Sequence, residues 1–117
     1  MPPSMIDVAE LLGRVENDRE FLKELLSIFK KEFPQRFQAL RKAVESGDAK
    51  NVVAEAHTLK GMLSNLAASK AAEAAAELER LARKGETAKF EEALSVFKSV
   101  TDELSLQLDA CMAEGSA

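Results

Sequence analysis

The 117-residue sequence contains few of the residues that form turns and cross-links: 5 glycines, 3 prolines and one cysteine. Glycine and proline mark most turns, so we expect few turns and long elements. The single cysteine, Cys111, excludes an internal disulfide, and its helical spacing from Leu104 and Leu108 predicts a small core residue. A chain without disulfides suits a reducing compartment, so we expect a cytoplasmic location.

Other absences exclude whole classes of function. No apolar run approaches the length of about 20 residues that spans a bilayer, and the N-terminus has no basic region typical of a signal peptide. The 16 basic and 20 acidic residues are interleaved and give a net charge of −4, which argues against binding nucleic acid. There is no glycine-rich phosphate loop, so we expect no ATP site. With one histidine, the sequence offers no metal-ligand set, and we expect no metal and no cofactor of its own.

Alanine, leucine, glutamate and lysine dominate what remains, and their spacing predicts five helical segments. A short helix is expected at about 5–12, with a stop at Gly13. Asp18 begins a long segment that reaches about residue 45, and Pro34 predicts a kink or a break within it. Gly47 suits a left-handed stop, and Asp48 suits the cap of the next helix.

Three further segments are expected at about 49–67, 70–84 and from Thr87 to about residue 112. Together they predict an all-α fold, an antiparallel four-helix bundle with a short extra N-terminal helix. We expect one domain over 5–113, with frayed termini at 1–4 and 114–117. All six phenylalanines fall on the second and fifth segments, which predicts that they lie in the core.

One residue of the third segment lies away from its apolar stripe. At 100° per residue, the stripe of Val52, Ala56, Leu59, Leu63 and Leu66 leaves His57 on the exposed side. We call its surroundings the histidine face. The expected members of this face, mostly small or apolar, are Val53, Ala54, Lys60, Gly61, Ser64 and Ala68.

Gly61 is unusual because glycine inside a helix costs about 1 kcal/mol relative to alanine. It permits either tight packing against another helix of the chain or the close approach of a second protein. Its outward direction favours the second interpretation, so we predict partner docking on Val53, Ala54, Gly61 and Ala68.

An exposed imidazole with a lysine one turn away suits phosphoryl transfer, because imidazole is a good nucleophile near neutral pH. Lys60 would offset the charge of the phosphoryl group, and Ser64 would add a hydrogen bond. An isolated exposed histidine usually has no function, so this prediction depends on the surrounding residues. The chain is expected to accept and donate phosphate without making it from ATP, as a phosphocarrier and not an enzyme.

The string Ala56-His57-Thr58-Leu59-Lys60-Gly61, followed by Asn65-Leu66, resembles the signature of histidine-phosphotransfer (HPt) domains of bacterial phosphorelays. The resemblance covers about residues 7–112, including the Leu78-Glu79 stretch. It implies a four-helix bundle whose histidine exchanges phosphate with aspartates of receiver domains, with Mg²⁺ on the receiver. It also implies that Lys60 supports the phosphohistidine and that Gly61 permits receiver docking.

The chain departs from the family pattern at three positions. Small or polar residues are common at the positions of Met62 and Leu63, and glycine is common at the position of Ala67. Ala67 predicts a more regular helix end. Two alternative functions stay open. One is an interaction module that binds a receiver or a kinase without being phosphorylated. The other, less favoured because the chain is short, is the phosphoacceptor module of a chemotaxis-type kinase. We expect a monomer.

Overall fold

The computed structural model describes residues 10, 13–15 and 18–115, and the side chains up to residue 110. Among these residues the long elements are all helices, which confirms the predicted fold class. They are α1 (Arg19–Ser46), α2 (Ala49–Asn65), α3 (Ser69–Arg83) and α4 (Phe90–Gly115), with a 3₁₀ turn at Thr87–Lys89 before α4. Within the described part of the chain, no helix combines the length and the apolar character that crossing a membrane requires.

The joint between α1 and α2 has the predicted geometry. Gly47 adopts a left-handed φ of 68°, and its N–H donates to the carbonyls of Ala43 and Val44 at the end of α1. Asp48 then caps α2 by accepting a hydrogen bond from the backbone N–H of Asn51 at 3.2 Å. This tight joint turns the chain back on itself, so α2 packs antiparallel to α1.

Helix α1 continues through Pro34, so the predicted break does not occur. Proline removes only one backbone donor, and the ring lies on an exposed part of the helix. On either side of it, Phe33 and Phe37 pack against Phe97 of α4, with ring centroids 6.4 and 6.0 Å apart. These contacts hold both halves of α1 against the bundle.

Each helix packs against its neighbours in the chain, and α1 also packs against α4, which closes the bundle. Phe29, Phe90 and Phe97 are buried, and Phe33 and Phe37 are half-buried. The prediction of a core position is wrong for Phe21, whose surface is 47% exposed. Phe21 directly precedes the buried Leu22, and one residue rotates a helical side chain by about 100°, out of the apolar stripe.

The joint between α2 and α3 differs from the prediction. Helix α2 ends at Asn65, and Ala67 adopts a left-handed φ of 56°, so the expected regular helix end at this position is wrong. This conformation turns the chain sharply. Ala68 is fully buried as the residue before α3, with its N–H donating to the carbonyl of Leu63 at 3.0 Å.

Three helix ends differ in smaller ways. Ser69 is the first residue of α3, and Thr87 begins the 3₁₀ turn instead of capping α4. Helix α4 extends to Gly115, beyond its predicted end. The predicted helix at 5–12 lies outside the described residues apart from Glu10, as does the side chain of Cys111. Gly13, the predicted stop, is itself helical.

Candidate functional site

His57 lies in the middle of α2 and projects from the bundle, as predicted. Its side chain is 64% exposed, whereas Leu59 and Leu63 on the opposite side of the helix are completely buried. The ring is therefore open to a second protein without any movement of the chain.

The two ring nitrogens of His57 have different surroundings. Nδ1 lies 3.3 Å from Oε1 of Glu79, which projects from α3 toward α2. An ionised carboxylate only accepts hydrogen bonds, so Nδ1 carries the ring proton and donates a hydrogen bond to Glu79. The neutral ring therefore has its lone pair on Nε2, the nitrogen that does not contact Glu79.

Glu79 connects three basic side chains through one carboxylate. Oε1 also accepts from Nζ of Lys60 at 3.2 Å, and Oε2 accepts from Nη2 and Nε of Arg83 at 2.7 and 3.1 Å. The Glu79 side chain is only 9% exposed. Its burial raises the pKa, but the hydrogen bonds from Arg83, Lys60 and His57 outweigh burial and lower the pKa to about 2. The carboxylate is thus ionised at neutral pH.

No long side chains project from the surface beside His57 at Ala54 and Gly61, as the small residues of the histidine face predict. Gly61 and Ala54 are exposed, while Val53 is half-buried and packs against the core. A Cβ added to Gly61 would meet no atom within 4 Å apart from its chain neighbours and the backbone of its own helix. Packing against other parts of the chain therefore does not require glycine at this position.

Two predicted members of the histidine face do not adjoin the His57 ring. Ala68 belongs to the joint after α2 and is fully buried, so its prediction as a docking residue is wrong. Ser64 is exposed, but it lies seven positions after His57, a rise of about 10 Å along the helix. That spacing gives no support to a direct contact with a phosphoryl group on the ring. The carbonyl of Ser64 accepts a hydrogen bond from Arg14 at 2.7 Å.

The sequence interpretation assigned no role to Glu79, although the resemblance included it. A signal was present, because Glu79 borders the apolar stripe of α3 and has an arginine four residues later. The approach of α2 that buries the carboxylate beside His57 is not visible in the sequence of α3. Among the described residues, no group of three or more histidine, cysteine, aspartate or glutamate side chains is placed to hold a metal ion.

Comparisons with known proteins bear on the family and on the fold of the chain. Residues 24–114 match the family model described as Hpt domain. No curated protein sequence matches the chain. The fold is similar to the crystal structure of histidine-containing phosphotransfer protein B from Pseudomonas aeruginosa PAO1, with a TM-score of 0.88. The two chains are 24% identical, and the match covers 97% of this chain and 98% of the other, a likeness that bears on the fold alone.

Proposed function

This chain belongs to the Hpt domain family, and from that premise we propose that Nε2 of His57 carries a phosphoryl group between the aspartates of receiver domains. Hpt domains are phosphocarriers of phosphorelays, so the role of the chain is phosphotransfer. The observation that supports the proposed atom is the contact between Nδ1 and Glu79, because it leaves the lone pair on the exposed Nε2.

The transfer step conserves atoms and charge. The Nε2 lone pair attacks the phosphorus of a receiver aspartyl phosphate, a P–N bond forms, and the P–O bond to the aspartate breaks. The aspartate leaves as a carboxylate. The ring keeps its proton on Nδ1 and becomes a phosphoimidazolium, whose positive charge the ionised Glu79 stabilises. The reverse sequence returns the phosphoryl group to an aspartate.

Lys60 is the cation that we assign to the phosphoryl group. Its Nζ lies 3.2 Å from the same carboxylate oxygen that contacts His57, so the ammonium is held beside the ring. An ammonium there offsets the negative charge that enters the site with the phosphoryl group. A hydrogen bond from Ser64 to the phosphoryl group stays a prediction, which the rise of about 10 Å from His57 does not favour.

The partner supplies the remaining parts of the reaction. We propose that the receiver domain brings its own Mg²⁺, and that this chain obtains phosphate from the receiver and has no ATP site. The docking surface comprises His57, Ala54, Gly61 and the exposed part of Val53. The cytoplasmic location and the monomeric state stay predictions.

The test is phosphotransfer from receiver domains charged with labelled acetyl phosphate to the purified full-length chain. We expect acid-labile, base-stable label on the chain, and none on His57→Gln. A matched control, Ser99→Gln, changes an exposed residue on α4 and should be labelled like the unaltered chain. Circular dichroism establishes that both variants stay helical.

The same experiment distinguishes the alternative function. An interaction module without phosphorylation would bind a receiver and remain unlabelled, and binding without label across a panel of receivers would contradict the proposal.

A further inference from the structure

We propose that Arg83 is a second cation for the phosphoryl group on His57, acting from the side opposite Lys60. This inference rests on the proposed function and adds a residue to the same site. The sequence interpretation did not single out Arg83, and Lys60 was the only cation that it assigned.

The antiparallel packing of α2 and α3 places the two cations on opposite sides of the ring. The contact between His57 and Glu79 shows which residues of the two helices lie opposite each other. Lys60 lies three residues further along α2, and Arg83 lies four residues further along α3, each about one turn away. Because the helices run in opposite directions, these two turns lead away from the ring in opposite directions. We infer that the ring projects between the ammonium of Lys60 and the guanidinium of Arg83, both of which contact Glu79.

The charges of this cluster do not balance in the free protein. Glu79 contributes one negative charge, whereas Lys60 and Arg83 contribute two positive charges, so one positive charge is in excess. A phosphoryl group brings about two negative charges and three acceptor oxygens. The guanidinium suits this group because its planar set of donors binds phosphate oxygens in pairs.

Arg83 also has the freedom to change partners. Its side chain is 61% exposed and reaches the buried carboxylate from the solvent side, through Oε2, the oxygen that His57 does not contact. Arg80, three residues earlier, pairs with Glu77 on the exposed surface of α3, where one positive charge meets one negative charge. Arg80 therefore provides a control, because it carries the same charge as Arg83 and lies on the same helix.

A purely structural role for Arg83 would be to neutralise Glu79. The two roles differ once Glu79 is replaced. A direct effect of Arg83 on the phosphoryl group persists without the carboxylate. An effect that depends on neutralising Glu79 disappears with the carboxylate. A double-mutant cycle between Glu79→Gln and Arg83→Gln separates them.

The experiment phosphorylates the full-length chain with potassium phosphoramidate and follows the ³¹P chemical shift of phosphohistidine as a function of pH. A nearby cation disfavours protonation of the phosphorylated ring, so its loss raises the midpoint of the titration. We expect Arg83→Gln to raise the midpoint by about half a pH unit, both in the unaltered chain and in the Glu79→Gln background. Arg83→Lys should restore most of the difference, and Arg80→Gln should leave the midpoint unchanged.

Two results would overturn the inference. One is an Arg83→Gln titration that coincides with that of the unaltered chain. The other is an effect of Arg83→Gln that disappears in the Glu79→Gln background. Both leave the proposed function intact, since the unaltered chain still forms phosphohistidine. Absence of a phosphohistidine signal from the unaltered chain, with phosphoramidate and with charged receivers alike, contradicts the proposed function instead.

Discussion

At the scale of single residues, the site depends on one carboxylate with several donors. Glu79 holds the proton-bearing nitrogen of His57, the ammonium of Lys60 and the guanidinium of Arg83. His57 and Arg83 are exposed and Lys60 is half-buried, while the carboxylate to which all three donate is buried. The proposed nucleophile is therefore oriented before any partner arrives, which would lower the entropic cost of reaching the transfer geometry.

Replacing Lys60 tests its role in holding the phosphoryl group. We expect Lys60→Ala to shorten the lifetime of phosphohistidine, or to slow its formation, by about three- to tenfold, because one charge-assisted contact is lost. Hydrolysis of the labelled chain and its rate of labelling measure the two effects. Lys98→Ala, on the exposed surface of α4, is the matched control. If both rates stay the same, Lys60 has no part in the chemistry.

Replacing Gly61 separates docking from stability. The open space around its Cβ position means that Gly61→Gln should keep the fold and raise the free energy of unfolding by about 0.5–1 kcal/mol, since glycine is a poor helix former. Transfer from a charged receiver should nevertheless slow by about tenfold or more, because the longer side chain keeps the partner from the ring.

Urea unfolding and transfer kinetics measure the two properties separately. Ser99→Gln makes a comparable change on an exposed part of α4 and should not affect transfer. Unchanged transfer in Gly61→Gln would show that no partner comes close at this position.

At the scale of elements, the joint between α2 and α3 decides how the site is assembled. The left-handed Ala67 ends α2 within two residues of its last helical position and directs Ala68 into the core. The resulting hairpin of helices brings Glu79 opposite His57. A non-glycine residue in this conformation costs about 1–2 kcal/mol, which the buried surroundings offset.

A β-branched residue at position 67 should be tolerated poorly. We expect Ala67→Val to lower the free energy of unfolding by about 1–3 kcal/mol, because valine disfavours a positive φ and the position has little free space. Urea denaturation measures the change. Ala110→Val, at an exposed helical position on α4, should lose only about 0.6 kcal/mol. Equal losses in the two variants would contradict the strain at Ala67.

At the scale of the whole molecule, the site is also a link between two helices. The contacts of Glu79 with His57 and Lys60 join α3 to α2 on the side of the bundle away from the phenylalanine cluster, which comprises Phe29, Phe33, Phe37 and Phe97. The phenylalanine rings of that cluster close the seam between α1 and α4. The bundle is therefore held by aromatic packing at one seam and supported by ionic contacts at the opposite seam.

This ionic link predicts a dependence of stability on pH. Folding lowers the pKa of Glu79 from its ordinary 4.5 to about 2, so its contribution is complete above pH 4.5 and is lost as the pH falls toward 2. We expect the stability difference between the unaltered chain and Glu79→Gln to shrink by about 1–2 kcal/mol over that range, because its partners are partly solvated. Urea unfolding of both proteins at several pH values measures it. A constant difference would mean that the ionised form is not stabilised by folding.

Much of the molecule follows from local sequence. Apolar residues at helical spacing mark the four long helices, and the Gly47-Asp48 pair marks the joint between α1 and α2 because its backbone requirements are local. The exposure of His57 follows from the same period, since its angle from the apolar stripe is independent of which helix covers that stripe. The same rules allowed a break at Pro34 and predicted a core position for Phe21, and neither occurs, because these rules describe one segment and do not weigh the packing that surrounds it.

Only the tertiary structure decided which residues meet at the site. The partnership of His57 with Glu79 depends on the register between α2 and α3, which the left-handed Ala67 and the buried Ala68 set through packing. A register between two helices is a property of both surfaces together, so neither sequence segment determines it alone. For that reason the sequence was sufficient to predict an exposed histidine at position 57, while the carboxylate beside it became visible in the folded chain.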